Sequence, residues 1–338
     1  MRARFPAERG GSALPAAPSP AMHRLDPSTE AIELWTDVPE FGNRVTPPND
    51  RMQEASPWEP CSLREEHPMY QWLHGRGAYR KQLASGCPHA GAVVAVERTD
   101  GSLFDQMVAS RRRGEPLPHG LVCVAGSGTA FHGYRGRSWC AVPGNLHLSV
   151  HWAPQRAISG YLPGVLALAA VACAGAVDEL AGNRPVAGIK WVNDVLVGRD
   201  KIAGVLAWSQ SEGERLDSII LGIGLNVEHA PADVNDAAVE GATCLAALRP
   251  GILLGEAFAV LLRHLNVRYE ALVAGGTDEL LAAYRARSVA LGRRVRWVPD
   301  DAGPHEIIEA KAVAIADDLA LVLDGRSEHL RSGRIALL

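Results

Sequence analysis

Residues 189–206 read I-K-W-V-N-D-V-L-V-G-R-D-K-I-A-G-V-L. Ile189, Trp191, Val195, Leu196 and Val197 form the apolar run of a buried β-strand. Gly198-Arg199-Asp200 is turn chemistry, and Lys201 to Leu206 is expected to return as the second strand of a hairpin. Such a strand holds Lys190, Asn193 and Asp194 only where they are paired or face a cavity, because burying an unpaired charge is costly. The plain reading is a strand end with solvated polar residues. The sharper one is a cation and a carboxylate held on a rigid element for chemistry on an anionic substrate.

Upstream, Gly126 to Trp139 reads G-S-G-T-A-F-H-G-Y-R-G-R-S-W. Its glycines, Gly128, Gly133 and Gly136 among them, let backbone N–H groups approach a ligand as a phosphate cradle does. Arg135 and Arg137 add cations suited to phosphate or carboxylate, and Trp139 offers a flat face for a purine. A flexible surface loop is the simpler alternative, and His132 alone reads as a structural hydrogen-bonder. Thr99 and Asp100 end an apolar strand, where either suits a helix cap. Downstream, Gly222-Ile-Gly224-Leu-Asn226-Val227 permits close approach to a strand end. It lacks the G-x-x-G and following helix of a dinucleotide fingerprint.

The chain has 338 residues, 47% hydrophobic and 21% charged, with a net charge of −4. That is an ordinary globular composition with ample core, and it argues against a nucleic-acid surface spread over the whole chain. Six scattered cysteines without a C-x-x-C pair suggest neither a zinc site nor a disulfide framework. A reducing cytoplasm is the expected setting. The longest apolar run, Val165 to Val177, falls short of the ~20 residues of a membrane span and reads as a buried helix. Residues 1–50 are expected to be disordered or loosely packed and residues 51–90 an irregular docking segment, since twelve of the 22 prolines precede residue 90. No helix-turn-helix pattern is found there. Strands are expected at Ala92–Val96, Leu121–Ala125, His147–Trp152 and Ser218–Val227, and helices at Ile158–Leu180, Gly255–Leu272 and Asp278–Leu291. From Arg293 the short strands and turns have the spacing of a small β-barrel.

The K-W-x-N-D run of Lys190 to Asp194, followed by G-x-D-K-I-A-G-V-L, resembles the signature of the biotin protein ligases. The resemblance covers roughly Ala92 to the C-terminus. It departs at Val192, where that family has Pro. It departs again in the loop, where the family carries G-R-G-R-x-G-R-x-W and this chain has Phe131, His132 and Tyr134 at motif positions. The segment Thr129 to Gly133 is closer to lipoate ligases and octanoyltransferases.

The resemblance implies an α+β fold. A class II synthetase-like mixed sheet with helices is expected over residues 91–290 and an SH3-like barrel over 291–338. It implies formation of biotinyl-5'-AMP from biotin and ATP, with Mg²⁺, and transfer to a lysine of the biotin carboxyl carrier domain of a carboxylase. Lys190, Arg137 and Asp194 would be catalytic, with Asp194 also near Mg²⁺. Thr99, Asp100, Gly128, His132, Gly133, Arg135, Gly136, Trp139, Asn193, Lys201, Gly204, Gly222, Gly224 and Asn226 would bind substrate or ATP. Thr243-Cys244-Leu245 stands where the family has A-T-S-L, and no P-C-G nucleophile is present. No DNA or membrane partner is expected, and the protein is expected to be a monomer or homodimer. A lipoate or octanoate ligase or transferase, or a non-catalytic ligand-binding relative, are the alternatives.

Overall fold

Apolar residues on both faces of the central strands demand cover on both sides, and helices supply it. The computed structural model describes residues 31–46, 57–62, 73, 78–84, 89–158, 161–232, 241–300 and 307–338. β1 (Ala31–Thr36) leads through α1 (Pro39–Val45) to β2 (Glu59–Cys61) and β3 (Ala78–Ala84). β4 (Ala92–Thr99), α2 (Leu103–Arg112), β5 (Leu121–Gly128), β6 (Leu146–Trp152) and β7 (Arg156–Ala157) follow. Next come α3 (Tyr161–Leu180), β8 (Ala187–Lys190), β9 (Asp194–Val197), β10 (Asp200–Glu212), β11 (Arg215–Leu225) and β12 (Gly241–Ala242). After α4 (Leu245–Leu248), α5 (Leu254–Val273) and α6 (Thr277–Ala286) come β13 (Arg294–Val298), β14 (Ile308–Ile315), β15 (Leu321–Leu323), β16 (His329–Leu330) and β17 (Arg334–Leu337).

Among the described residues the first twelve strands form one mixed sheet, in the order β2-β3-β1-β4-β5-β6-β11-β10-β9-β8, with β12 beside β10 and β7 beside β11. The last five form a separate antiparallel sheet, β16-β15-β14-β13-β17. Strand alternation sorts the core. Val93 and Ala95 of β4 face the layer of α3 and α5, while Val94 and Val96 face α2. α3 is the apolar run expected to be a helix, and Ala167 to Ala174 are buried to within 1%. It has the length and apolarity of a membrane span, but its residues are spent on the core.

Three expectations are corrected. Residues 31–46 are not loosely packed: β1 lies between β3 and β4, and Ile32, Leu34, Trp35, Phe41 and Val45 are buried. The alternation in A-I-E-L-W-T outweighs the proline-rich composition around it. The segment 51–90 likewise supplies β2 and β3 to the sheet, while Tyr70 and Trp72 lie outside the described residues, as do residues 1–30. α6 ends at Ala286 rather than Leu291, because the next residues run beside β8, with Ile189 N–H donating to Arg287 O and Val289 N–H to Ile189 O.

Candidate active site

The apolar residues of β6 and β11 face α3, so their alternate residues face the other way and floor a cavity beside α2. The register aligns His147 with Gly224 and Gly224 with Gly204, and, one row on, Ser149 with Gly222 and Gly222 with Leu206. Three of these floor positions are glycine, two of them where a Cβ would crowd an aromatic ring. A Cβ at Gly224 would sit 2.3 Å from the Trp139 ring, and one at Gly222 3.0 Å from Phe104. Trp139 therefore packs closely against the backbone of β11 at Gly224. Its indole N–H donates to His147 Nδ1 (3.2 Å), whose Nε2 faces Val142 O at 3.3 Å. His147 is thus neutral with the proton on Nε2, and burial pushes its pKa down to about 4.

The apolar pattern of residues 189–197 predicts Lys190 and Asp194 on one strand. They stand instead on two strands joined by the turn Trp191-Val192-Asn193, whose first peptide is cis. The hairpin register sets Lys190 directly opposite Asp194, and Nζ lies 3.1 Å from Oδ2. From β10, Lys201 Nζ lies 2.6 Å from the other oxygen, Oδ1. Both Lys190 and Asp194 are 2% exposed. Burial alone would raise the Asp194 carboxyl, but Lys201 and Lys190, with Arg137 beyond them, hold it at about 2. Asn193 locks the turn to β10: its Nδ2 donates to Val205 O (2.8 Å) and its own carbonyl accepts from Val205 N–H (2.9 Å). The phenol of Tyr284 donates to Val192 O from α6.

His132, Gly133, Arg137, Trp139, Asn193, Lys201, Gly204, Gly222, Gly224 and Asn226 all border the cavity. Lys190 and Asp194 stand one layer behind its wall, and Lys201 brings the charge of the cluster to the surface. Asn226 donates to Thr243 O (3.0 Å), while its Oδ1 is buried with no hydrogen-bond partner among the described residues. That leaves a buried acceptor unpaired in a residue of the cavity wall.

Other expected ligand residues are placed elsewhere. Thr99 Oγ1 donates to Gly101 O, closing the turn before α2, and the exposed Asp100 holds the loop through its carbonyl, which accepts from Thr129 Oγ1. Neither borders the cavity. Ser102 and Phe104, two residues and four residues past Asp100, do. The strand end turns sharply enough to carry 99 and 100 past the opening, a distinction no local pattern signals. Gly128 leaves room for the Phe131 ring, which a Cβ there would meet at 2.4 Å. Gly136 sits at the loop tip with φ +74°, and Arg135 pairs with Asp300. Asp194, the expected magnesium ligand, has both carboxylate oxygens met by ammonium groups, so a cation there would compete with Lys190 and Lys201.

The model of the biotin/lipoate A/B protein ligase family matches residues 96–226. A biotin–[acetyl-CoA-carboxylase] ligase of Mycobacterium tuberculosis is 33% identical over 299 residues, 86% of this chain and 99% of its own. The bifunctional ligase/repressor BirA of Bacillus subtilis is 35% identical over 141 residues, and that match spans only 42% of its length. Among solved structures, the biotin protein ligase from Aquifex aeolicus in complex with biotin and ATP superposes with a TM-score of 0.54 at 21% identity, over 73% of this chain and 98% of that one. A mutant of the same enzyme, in complex with biotin, gives 0.56 at 20% identity, over 73% and 97%. At that identity the likeness concerns the fold.

Proposed function

The chain belongs to the biotin/lipoate A/B protein ligase family, and from that premise we propose that it joins biotin to a carrier-protein lysine through biotinyl-5'-AMP. The observation that carries the reading is the Lys190–Asp194–Lys201 cluster behind a glycine-floored cavity lined by Trp139. A carboxylate and a triphosphate repel each other, so bringing them together needs fixed positive charge. Two ammonium groups on one carboxylate leave a surplus of one, and Arg137 adds a further cation at the wall. Anionic reactants compete with Asp194 for Lys190 and Lys201.

A carboxylate oxygen of the acid attacks the α-phosphorus, and the bond to pyrophosphate breaks. The carrier lysine nitrogen then attacks the acyl carbon, and AMP leaves with the bonding electrons. Holding the reactants in line supplies most of the acceleration. The unpaired acceptor of Asn226, once uncovered by a shift of its neighbours, suits the amino group of a purine, and Trp139 suits its face. The partner is a biotin carboxyl carrier domain.

Phe104 and Phe131 in the wall, with the Thr129–Gly133 segment, favour a second reading in which the acid is lipoate or octanoate. ATP–pyrophosphate exchange with biotin, lipoate and octanoate offered separately decides. Exchange with biotin alone is expected. Exchange only with a straight-chain acid reassigns the substrate, and none with any of the three, from folded protein, ends the ligase reading.

A further inference from the structure

Arg135 reads from sequence as a phosphate ligand, yet its Nε lies 3.3 Å from Asp300 Oδ2, at the end of β13 in the C-terminal sheet. The same carboxylate oxygen is held from behind by the N–H of Gly333 (2.9 Å). Glycine is required there: φ is +110° and a Cβ would meet the Trp297 indole at 2.4 Å. Trp297 in turn donates to Ser332 O, fixing the closing turn of the small sheet. The Asp300 side chain is 11% exposed, so it is a built element of that sheet rather than a loose surface group.

The C-terminal sheet is itself fastened to the catalytic turn. Trp191, between Lys190 and Asn193, donates its indole N–H to Leu319 O at 2.7 Å, with both residues buried. Arg285 of α6 donates to Ile315 O at 2.8 Å. Asp300 therefore belongs to the same rigid frame as the Lys190 hairpin. On the far side of the cavity, residues 131–139 form a small hairpin, with a His132–Ser138 bridge and a Gly133–Arg137 backbone bond. Its base is pinned to α2 by His132 Nε2 and Asp105 Oδ2, 2.7 Å apart, and its tip by Arg135 on Asp300. Arg137 and Trp139, two and four residues beyond the tip contact, reach the cavity, as do Phe131 to Tyr134 before it.

We propose that Asp300 and Arg135 are positioning residues, an interdomain latch by which the C-terminal sheet holds the 131–139 hairpin over the cavity and so sets Arg137 and Trp139. Its effect on turnover rests on the ligase reading; its effect on the hairpin does not. The latch is half-exposed on the arginine side, so its worth is modest and salt-sensitive. Losing it frees the hairpin while leaving the Lys190–Asp194–Lys201 contacts in place. Binding of ATP weakens, and the chemical step, once ATP is bound, is little changed.

The test compares wild type with Asp300→Asn, Arg135→Gln and Arg135→Lys in the full-length protein. Limited trypsin digestion without ligand should cut Asp300→Asn after Arg137 about threefold to tenfold faster than wild type. In ATP–pyrophosphate exchange, Asp300→Asn and Arg135→Gln should raise KM for ATP by a similar factor with kcat within about twofold, and added salt should bring wild type toward the variants. Arg135→Lys, which keeps the charge pair, should restore KM. If Asp300→Asn melts early, Arg135→Gln reports the same contact from the loop side. Unchanged cleavage and unchanged KM in both variants would overturn the latch. So would a loss confined to kcat that Arg135→Lys does not rescue, which would place Arg135 at the reacting atoms. Silence of wild-type exchange with every acid would end the ligase reading, while the digestion comparison still decides the latch.

Discussion

Lys190 and Lys201 are unequal partners of one carboxylate. The Lys190 side chain is 3% exposed and that of Lys201 18%. Removing either should abolish adenylate formation, but their structural costs differ. Lys190→Ala breaks a fully buried pair and should destabilise by about 3–5 kcal/mol. Lys201→Ala opens onto the cavity, where water enters, and should cost less. Urea denaturation alongside pyrophosphate exchange separates the two effects, and near-normal exchange by Lys190→Ala removes it from the mechanism. The floor glycines make a second pair. A Cβ at Gly224 strikes the Trp139 ring at 2.3 Å, whereas one at Gly204 comes no nearer than 3.3 Å to the end of the Lys201 side chain. Gly224→Ala should therefore displace the indole and weaken ATP binding by at least about tenfold, on the order of 1.4 kcal/mol, and Gly204→Ala by less. Equal ATP affinities, measured by calorimetry, would mean that Trp139 is not the nucleotide platform.

β6 shows how one element can serve both core and site. Leu146, Leu148, Val150 and Trp152 belong to the core beneath α3, while His147, Ser149 and His151 occupy the other face. Burial pushes both imidazoles from the ordinary 6.5 down to about 4, against weaker support from the carbonyls of Val142 and Pro118. The folded protein thus takes up fewer protons than the unfolded chain between those values. Stability is full above pH 6.5 and falls as pH drops toward 4, by on the order of 2–3 kcal/mol per imidazole. Asp194, held at about 2 against 3.8 unfolded, adds a further loss of about 2 kcal/mol between those two pH values. Urea midpoints measured from pH 7 to 4 should decline in wild type and flatten in His147→Gln/His151→Gln. A parallel decline in the double variant would assign the acid sensitivity to other groups.

Across the whole molecule, the catalytic turn and the C-terminal sheet are joined by a bond between residues 128 apart in sequence, Trp191 to Leu319. Trp191→Phe keeps most of the ring's packing but leaves a buried carbonyl unpaired, which should cost about 1–3 kcal/mol. If the small sheet stabilises the turn through this bond, the variant should also expose the Lys190 hairpin to hydrogen exchange. Protection unchanged at Ile189 and Val195 would show that Tyr284 and β10 suffice to hold it.

What the chain determined by itself was local. Alternating and helical apolar patterns marked most strands of the main sheet and its long helices, because periodicity follows directly from which face is buried. The K-W-V-N-D run announced a paired charge, because an apolar neighbourhood tolerates no other kind. The splitting of that run into two strands was not legible, since Trp191 looks equally apolar in a strand or in a turn that docks elsewhere. Nor was β1, whose partners Ala84 and Ala92 lie more than fifty residues on. Tertiary structure alone decided that Lys201, not Lys190, faces the cavity, that Ser102 and Phe104 replace Thr99 and Asp100 at its wall, and that Arg135 belongs to Asp300. Each outcome depends on which distant surface a side chain meets, and spacing along the chain carries no information about that.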